Sequence, residues 1–253
     1  MNKIMGHVFL SKLGKKRLRP GGVKATNWLK KQTNLNNKNI LEVGCNKGTT
    51  SFELARKYNS IITAVDKDLF ALEQAKNSKK NKYKNLTFSP GNAFKLEFSN
   101  ETFDVIFNEA MLTMLNQNSK ITALKEYNRV LKDNGVLLNH DICLLTNDIQ
   151  LQKQIIKEMS ETINTSVEPK TVDEWLFLLE SNGFGQIKYT CGKMTLLTPR
   201  GLIKDEGIVN TFKIIRNAFK KENKVQFKTM RNVFKKYKKH LGFIAIASFK
   251  QKI

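Results

Sequence analysis

The stretch Asn39 to Ser51, NILEVGCNKGTTS, constrains the fold more than any other part of the chain. Ile40, Leu41 and Val43 read as a buried strand, Gly44 to Gly48 as a glycine turn, and Thr49 and Thr50 as the start of a helix. A second apolar run, IITAVD, then ends on Asp66, 22 residues beyond Gly44. Strand, glycine turn, helix and a strand closed by an acid make the nucleotide-binding half of a doubly wound fold.

Spacing narrows the ligand. A dinucleotide fingerprint G-x-G-x-x-G needs glycines at 44, 46 and 49, where the chain has Gly44, Asn46 and Thr49. A phosphate-binding P-loop fails as well, because Lys47 precedes Gly48 and no G-K-[ST] follows.

Alternation of strands and helices continues downstream. Helices are expected over about Thr50 to Tyr58, Leu69 to Lys79 and Ser119 to Leu131, the second followed by the lysine-rich loop KKNKYKN. Strands are expected at Leu86 to Ser89, at Phe103 to Phe107, and in VLLNH after the turn DNG. Helical stretches between strands imply parallel pairing with right-handed crossovers.

Beyond Asp141 the pattern changes. NDIQLQKQIIKEMSETI carries one apolar stripe, Leu151, Ile155, Met159 and Ile163. Thr171 and Glu174 form a capping box for the next helix, with Gly183 placed as its C-cap, and a sixth strand is expected near Ile187 to Thr190. A basic stretch from Cys191 to His240 follows, with Phe212, Ile215 and Phe219, then Met230, Phe234 and Tyr237, at helical spacing, read as core-facing in preference to lining a substrate pocket. LGFIAIASF is the expected seventh strand.

The fold class is therefore α/β, a doubly wound (Rossmann-like), mostly parallel seven-stranded sheet with helices on both faces and a helical lid or insertion. The expected divisions are an N-terminal helical cap (1–38), a core (39–190) with a lid helix near 148–163, a basic helical insertion (191–240), and the final strand (241–253).

Glu42, Gly44 and Gly48, an E-x-G-x-x-x-G pattern, resemble the first motif of class I S-adenosylmethionine-dependent methyltransferases, with Asn46 in place of the central glycine. Asparagine is the non-glycine residue that best tolerates left-handed backbone, so the turn survives the exchange. Asp66 matches the acid that grips the ribose hydroxyls in that family, and Gly91-Asn92-Ala93 resembles its adenine-holding segment. FDVIFNEAML and RVLKDNGVLL resemble the family's fourth motif and its turn before strand five. These matches cover Asn39 to His140, and the type is that of the small-molecule, UbiE-like enzymes.

The resemblance implies S-adenosyl-L-methionine as cofactor and no metal, held by Glu42, Gly44, Cys45, Asn46, Gly48, Asp66, Lys67, Asn92, Ala93 and Asn108. Methyl transfer from a sulfonium is an in-line displacement whose leaving group the cofactor supplies, so few catalytic residues are needed. His140 and Glu109, at the ends of two strands, are the candidates for handling a proton. Glu109 is equally a candidate for orienting substrate; a surface or hydrogen-bonded histidine and a helix-start carboxylate are the plainer readings. Arg17, Arg19, Gly22 and Asp141 are candidates for the substrate side or lid, the two arginines facing a ligand carboxylate or simply solvent.

Asn108-Glu109-Ala110-Met111 departs from the [DN]-P-P-[YF] of amino-methylating nucleic-acid enzymes, and no Pro-Cys pair for cytosine chemistry exists. A small-molecule acceptor follows by elimination and resemblance. The net charge of +22 keeps a second reading open, an RNA or other polyanion methyltransferase that uses the basic insertion as a clamp. A non-catalytic binding protein with the cofactor fold is the third. Lysine and asparagine abound throughout, so much of the charge reads as solvated surface.

No run approaches the about 18 apolar residues of a membrane span. Cys45, Cys143 and Cys191 are too few and too scattered for a disulfide framework or a metal site, and no secretory signal is evident. The expectation is a cytoplasmic, reduced protein.

Overall fold

The computed structural model describes residues 4–78 and 82–251. The expected helix end at Lys79, the first residues of the lysine-rich loop and the last two of the final segment lie outside them.

The central sheet runs β1 (Asn39–Val43), β2 (Ile61–Asp66), β3 (Leu86–Pro90), β4 (Phe103–Glu109), β5 (Leu131–Leu144), β6 (Lys170–Thr171), β7 (Phe184–Lys193) and β8 (Leu241–Lys250) along the chain. In space the order is β3-β2-β1-β4-β5-β8-β7, with the two-residue β6 paired on β5. Strands β1 to β5 are parallel, and β8 enters antiparallel between β5 and β7. The strand order reverses direction between β1 and β4, and a doubly wound sheet opens its binding crevice at such a switch point, beyond the carboxyl ends of the strands.

Strand β5 is longer than VLLNH. It begins at Leu131, and the expected turn DNG is a bulge within it: Phe103 pairs with Leu131 and Val105 with Val136, while Asn134 takes a left-handed φ of 59°. The extra length places Asn139, His140 and Asp141 deep inside the sheet rather than on its rim.

Nine helices are described: α1 (Gly6–Leu13), α2 (Gly22–Leu29), α3 (Thr49–Lys57), α4 (Leu69–Lys76), α5 (Gln117–Val130), α6 (Ile149–Ile163), α7 (Val172–Glu180), α8 (Pro199–Ala218) and α9 (Lys221–Lys236). Helices α2, α3 and α4 cover one face through Ala25, Leu29, Phe52, Leu54 and Leu72. On the other face, α5 and α7 bury Leu124, Tyr127, Trp175 and Leu178. The capping box of α7 forms as expected, with Thr171 and Glu174 bonded reciprocally. Its C-cap is Ser181, not Gly183; Gly183 lies two residues further on, with φ 83°.

Helices α1, α6, α8 and α9 build a third apolar cluster, in which Phe9, Leu13, Ile155, Met159, Ile214 and Met230 meet. The stripe Phe212, Ile215 and Phe219, expected to face the core, lies instead on the surface at the end of α8.

A buried ionic clasp fixes the N-terminal segment to α8. Lys15 Nζ lies 3.3 Å from Asp205 Oδ2 and 3.6 Å from Glu206 Oε1, all three side chains being sealed from solvent. Asp205 Oδ1 also accepts from Val23 N–H at 2.8 Å, and a Cβ on Gly22, whose φ is 59°, would collide with the Asp205 carboxylate. Removing one member of a buried pair leaves charge and backbone donors unmatched. Asp205→Ala is expected to lower the unfolding free energy by about 3 kcal/mol in urea titration, and a change near zero would show the clasp to be dispensable.

Candidate active site

The turn after β1 is built from three left-handed residues, Gly44 (φ 74°), Asn46 (φ 49°) and Gly48 (φ 69°). Asn46 thus takes the backbone expected of a glycine stand-in, and its Oδ1 accepts from Lys47 N–H at 2.8 Å. Gly48 admits no side chain, since a Cβ there would run into the ring of Phe88. Gly44 and Cys45 N–H groups both donate to Val65 O, at 2.9 and 3.1 Å, which locks the turn onto the end of β2. Cys45 is buried, and burial pushes its thiol well above the ordinary range.

Asp66 is half-buried at the tip of β2. Its Oδ2 accepts from Asn46 N–H at 2.7 Å and its Oδ1 from Asp68 N–H at 3.0 Å. Gly91 N–H donates to Asp66 O at 3.0 Å, and a Cβ on Gly91 would press into Val65, so the Gly91-Asn92-Ala93 segment lies directly beside the acid. Asn92 is exposed and its Oδ1 accepts from Phe94 N–H at 3.0 Å. Lys67 is exposed. The imidazole of His7, on α1, is pushed below its ordinary value by burial, against the opposing pull of Asp68 and Asp66.

At the other end sits Glu109, on β4, with four donors on one carboxylate. Its Oε2 faces Arg19 Nε at 3.1 Å and accepts from Thr50 Oγ1 at 2.8 Å. Its Oε1 accepts from Thr26 Oγ1 at 2.5 Å and faces His140 Nδ1 at 3.1 Å. Burial on its own would raise this acid, but Arg19, His140 and Thr26 outweigh it and hold the carboxyl well below the usual range. Arg19 also donates to the Thr26 hydroxyl, at 2.7 Å, and to that of Thr50.

His140 closes the network. Gly21 N–H can only donate, and it reaches His140 Nε2 at 2.9 Å, so Nε2 carries the lone pair and Nδ1 the proton given to Glu109. Both ring nitrogens are used and the ring is fully buried. In this arrangement His140 has no lone pair free to take a proton.

Four expected positions point elsewhere. Asp141 turns into the fold, where its carboxylate accepts from Leu112 and Thr113 N–H, both at 3.1 Å. The Asn108 side chain lies under α5, donating to Tyr127 Oη at 2.9 Å, as period-2 alternation with Glu109 on β4 dictates. Arg17 meets Glu53 and donates to Asp205 O, and Arg19 meets Glu109, so neither guanidinium is free for a ligand. Glu42, beneath the turn, is buried and accepts from Ser51 Oγ. Gly21, Thr26 and Thr50 have roles that motif reading missed, because their partners are remote in sequence.

The residues at the Asp66 end fit an adenosine. A half-buried carboxylate at the tip of β2 suits a vicinal diol, and the left-handed turn keeps side chains away from the crevice beside it. Among the described residues no group of three His, Cys, Asp or Glu side chains is arranged to hold a metal ion.

Burial pushes the Glu42 carboxyl up to about 7, reinforced by the nearby charge of Glu109 and opposed by the Ser51 hydrogen bond. The folded state then holds a proton that the unfolded chain releases near 4.5, so this group costs stability as the pH rises from about 4.5 to 7. Glu42→Gln removes that titration. Its stability relative to the parent is expected to be about 2 kcal/mol more favourable at pH 8 than at pH 5; equal differences at the two pH values would place the Glu42 carboxyl at its ordinary value.

Comparison with known proteins fits this geometry. A family profile described as a methyltransferase domain matches residues 34–198. An uncharacterized protein of Haemophilus influenzae is 47% identical over 249 residues, spanning 97% of this chain and 98% of that protein. Among solved structures, a putative sarcosine dimethylglycine methyltransferase from Galdieria sulphuraria superposes with a TM-score of 0.75 at 15% identity, covering 97% of this chain and 98% of the other. A phosphoethanolamine N-methyltransferase 2 of Haemonchus contortus, solved with phosphomonomethylethanolamine and S-adenosylhomocysteine, gives 0.73 at 16% identity, covering 98% of this chain and 58% of the other. With the glycine turn, the acid at the tip of β2 and this sheet order in place, the chain belongs to the methyltransferase-domain family and is an S-adenosylmethionine-dependent methyltransferase.

Proposed function

We propose that the chain methylates a small molecule that bears an anionic group. The observation that carries this reading is a cavity of about 710 Å3 at the carboxyl edge of the sheet, between α2, the end of β7 and the start of α8. That volume suits a metabolite-sized ligand and not a folded polymer. Its floor is apolar, with Ala25, Trp28 and Phe243. Lys24, Lys193, Arg200 and Lys204 stand around it, exposed, and none makes an ion pair among the described residues. Gly21 forms part of the wall and is the residue whose N–H holds His140.

In this reading the adenosine hydroxyls lie on Asp66, beside the Gly44–Gly48 turn and Gly91-Asn92-Ala93. S-adenosylmethionine supplies both the methyl group and its leaving group, so the chain must mainly align the acceptor and exclude water. Glu109 and His140 act as positioning residues. Together they draw Arg19, Gly21 and Thr26 down over the strand ends, and they thereby set the wall between the cofactor crevice and the acceptor cavity. A second reading, RNA as acceptor, draws its support from the net charge of +22.

Calorimetry with S-adenosylhomocysteine tests the cofactor side. Asp66→Ala is expected to weaken binding about 10- to 100-fold through loss of charge-assisted hydrogen bonds; unchanged affinity would remove the ribose role from Asp66. Transfer of labelled methyl groups from the cofactor into cell extract tests the acceptor. Label is expected in the low-molecular-weight fraction, with an acceptor KM raised about tenfold by Arg200→Ala. Label confined to RNA would overturn the small-molecule reading.

A further inference from the structure

Helix α8 is apolar on two sides, and only one of them is used. Gly207, with φ 76° and ψ 165°, breaks the helix and re-aims its second half. Beyond the break, Thr211, Ile214 and Ala218 turn inward, while the side chains of Asn210 and Asn217 donate to Gly14 O and Leu13 O at 3.1 and 3.0 Å. Ile208, Phe212, Ile215 and Phe219 follow the same helical period on the opposite side and face outward. Phe212 is 70% exposed, and its neighbour Val209 is 85% exposed. A groove of about 210 Å3, floored by Phe227 of α9, continues this face. An apolar face of this extent on a soluble fold marks a contact surface.

The charge around the stripe selects the occupant. From Lys213 to Lys239 the chain has eleven lysines and arginines against one acid, Glu222. Lys213 and Arg216 on α8, Lys220 at the junction, and Lys224, Lys228 and Arg231 on α9 are exposed and make no ion pair among the described residues. A second copy of this face would bring like charges together at close range. RNA would meet the cations but has no use for outward-facing Ile208 and Val209, since nucleic-acid contacts draw on basic and aromatic side chains. An anionic lipid surface satisfies both sets at once. The apolar side chains enter the headgroup–acyl boundary and the cations meet lipid phosphates.

We infer that the outer face of α8 and α9 docks the enzyme on anionic bilayers. No helix among the described residues is long and apolar enough to cross a membrane, so the association is peripheral. Pro199 lines both the α8 groove and the larger cavity beside Gly21, so docking places that cavity next to the bilayer surface.

Vesicle sedimentation of the full chain tests this. The protein is expected to pellet with vesicles in which about a third of the phosphatidylcholine is replaced by phosphatidylglycerol, not with phosphatidylcholine alone, and added salt should release it. Phe212→Ser combined with Phe219→Ser should weaken binding about tenfold or more. Lys213→Glu combined with Arg216→Glu should weaken it by at least about tenfold, at roughly fivefold per cation lost. Both pairs should retain the parent S-adenosylhomocysteine affinity, because none of the four residues touches the cofactor crevice; the charge pair should also retain the parent melting temperature, whereas the Phe pair should melt somewhat lower, because Phe219 packs on the buried ring of Phe227. Equal binding to both vesicle types, or none, overturns the inference. So does tight RNA binding that the charge pair abolishes and the Phe pair leaves intact, or a dimer dissociated by the Phe pair in a protein that ignores vesicles.

Discussion

One carboxylate organises the front of this molecule. Glu109 is buried at the end of β4 and draws on Arg19, Thr26, Thr50 and His140 at once, so its charge is matched by donors from both ends of the fold. A buried charge of this kind is strongly unfavourable when any partner is lost, which makes the network all-or-none. Because Arg19 and Thr26 bracket Gly21, satisfying Glu109 also sets the position of the Gly21 N–H on His140. The N-terminal segment is consequently part of the site's walls.

The same segment is held from behind by the Lys15–Asp205–Glu206 clasp, which ties α8 to this Glu109 latch through a short chain of buried contacts. Asp205 connects the two, accepting from Val23 N–H while its carboxylate packs against Gly22. The methyl-transfer chemistry needs little from the protein beyond alignment and exclusion of water. A scaffold whose effort goes into fixing one segment over the strand ends is suited to that task.

Much of this was legible in the sequence. The strand, glycine turn and acid from Asn39 to Asp66 are local signals, and strand and helix periods carried the topology through β5. The latch was not legible, because Thr26 and Glu109 are 83 residues apart and Gly21 and His140 119 apart, and no periodicity links them. Arg17 and Arg19 were readable as charges but not as internally paired ones. Asp141 looked like a site acid because it ends the recognisable part of β5; the bulge at Lys132 to Gly135 and the longer strand carry it into the interior. The Phe212 stripe shows the limit of periodicity, since α8 has apolar residues on two sides and spacing does not say which one is buried.

Methyl transfer in the proposed site requires the cofactor sulfur to reach the cavity that Gly21 walls. A crystal structure with S-adenosylhomocysteine tests this most directly. Ribose hydroxyls are expected on Asp66, with the sulfur facing the Arg19–Gly21 segment and open space connecting it to the cavity lined by Trp28 and Phe243. A sulfur directed toward α5, or a cavity still sealed from it by Gly21 and Phe243, would contradict it.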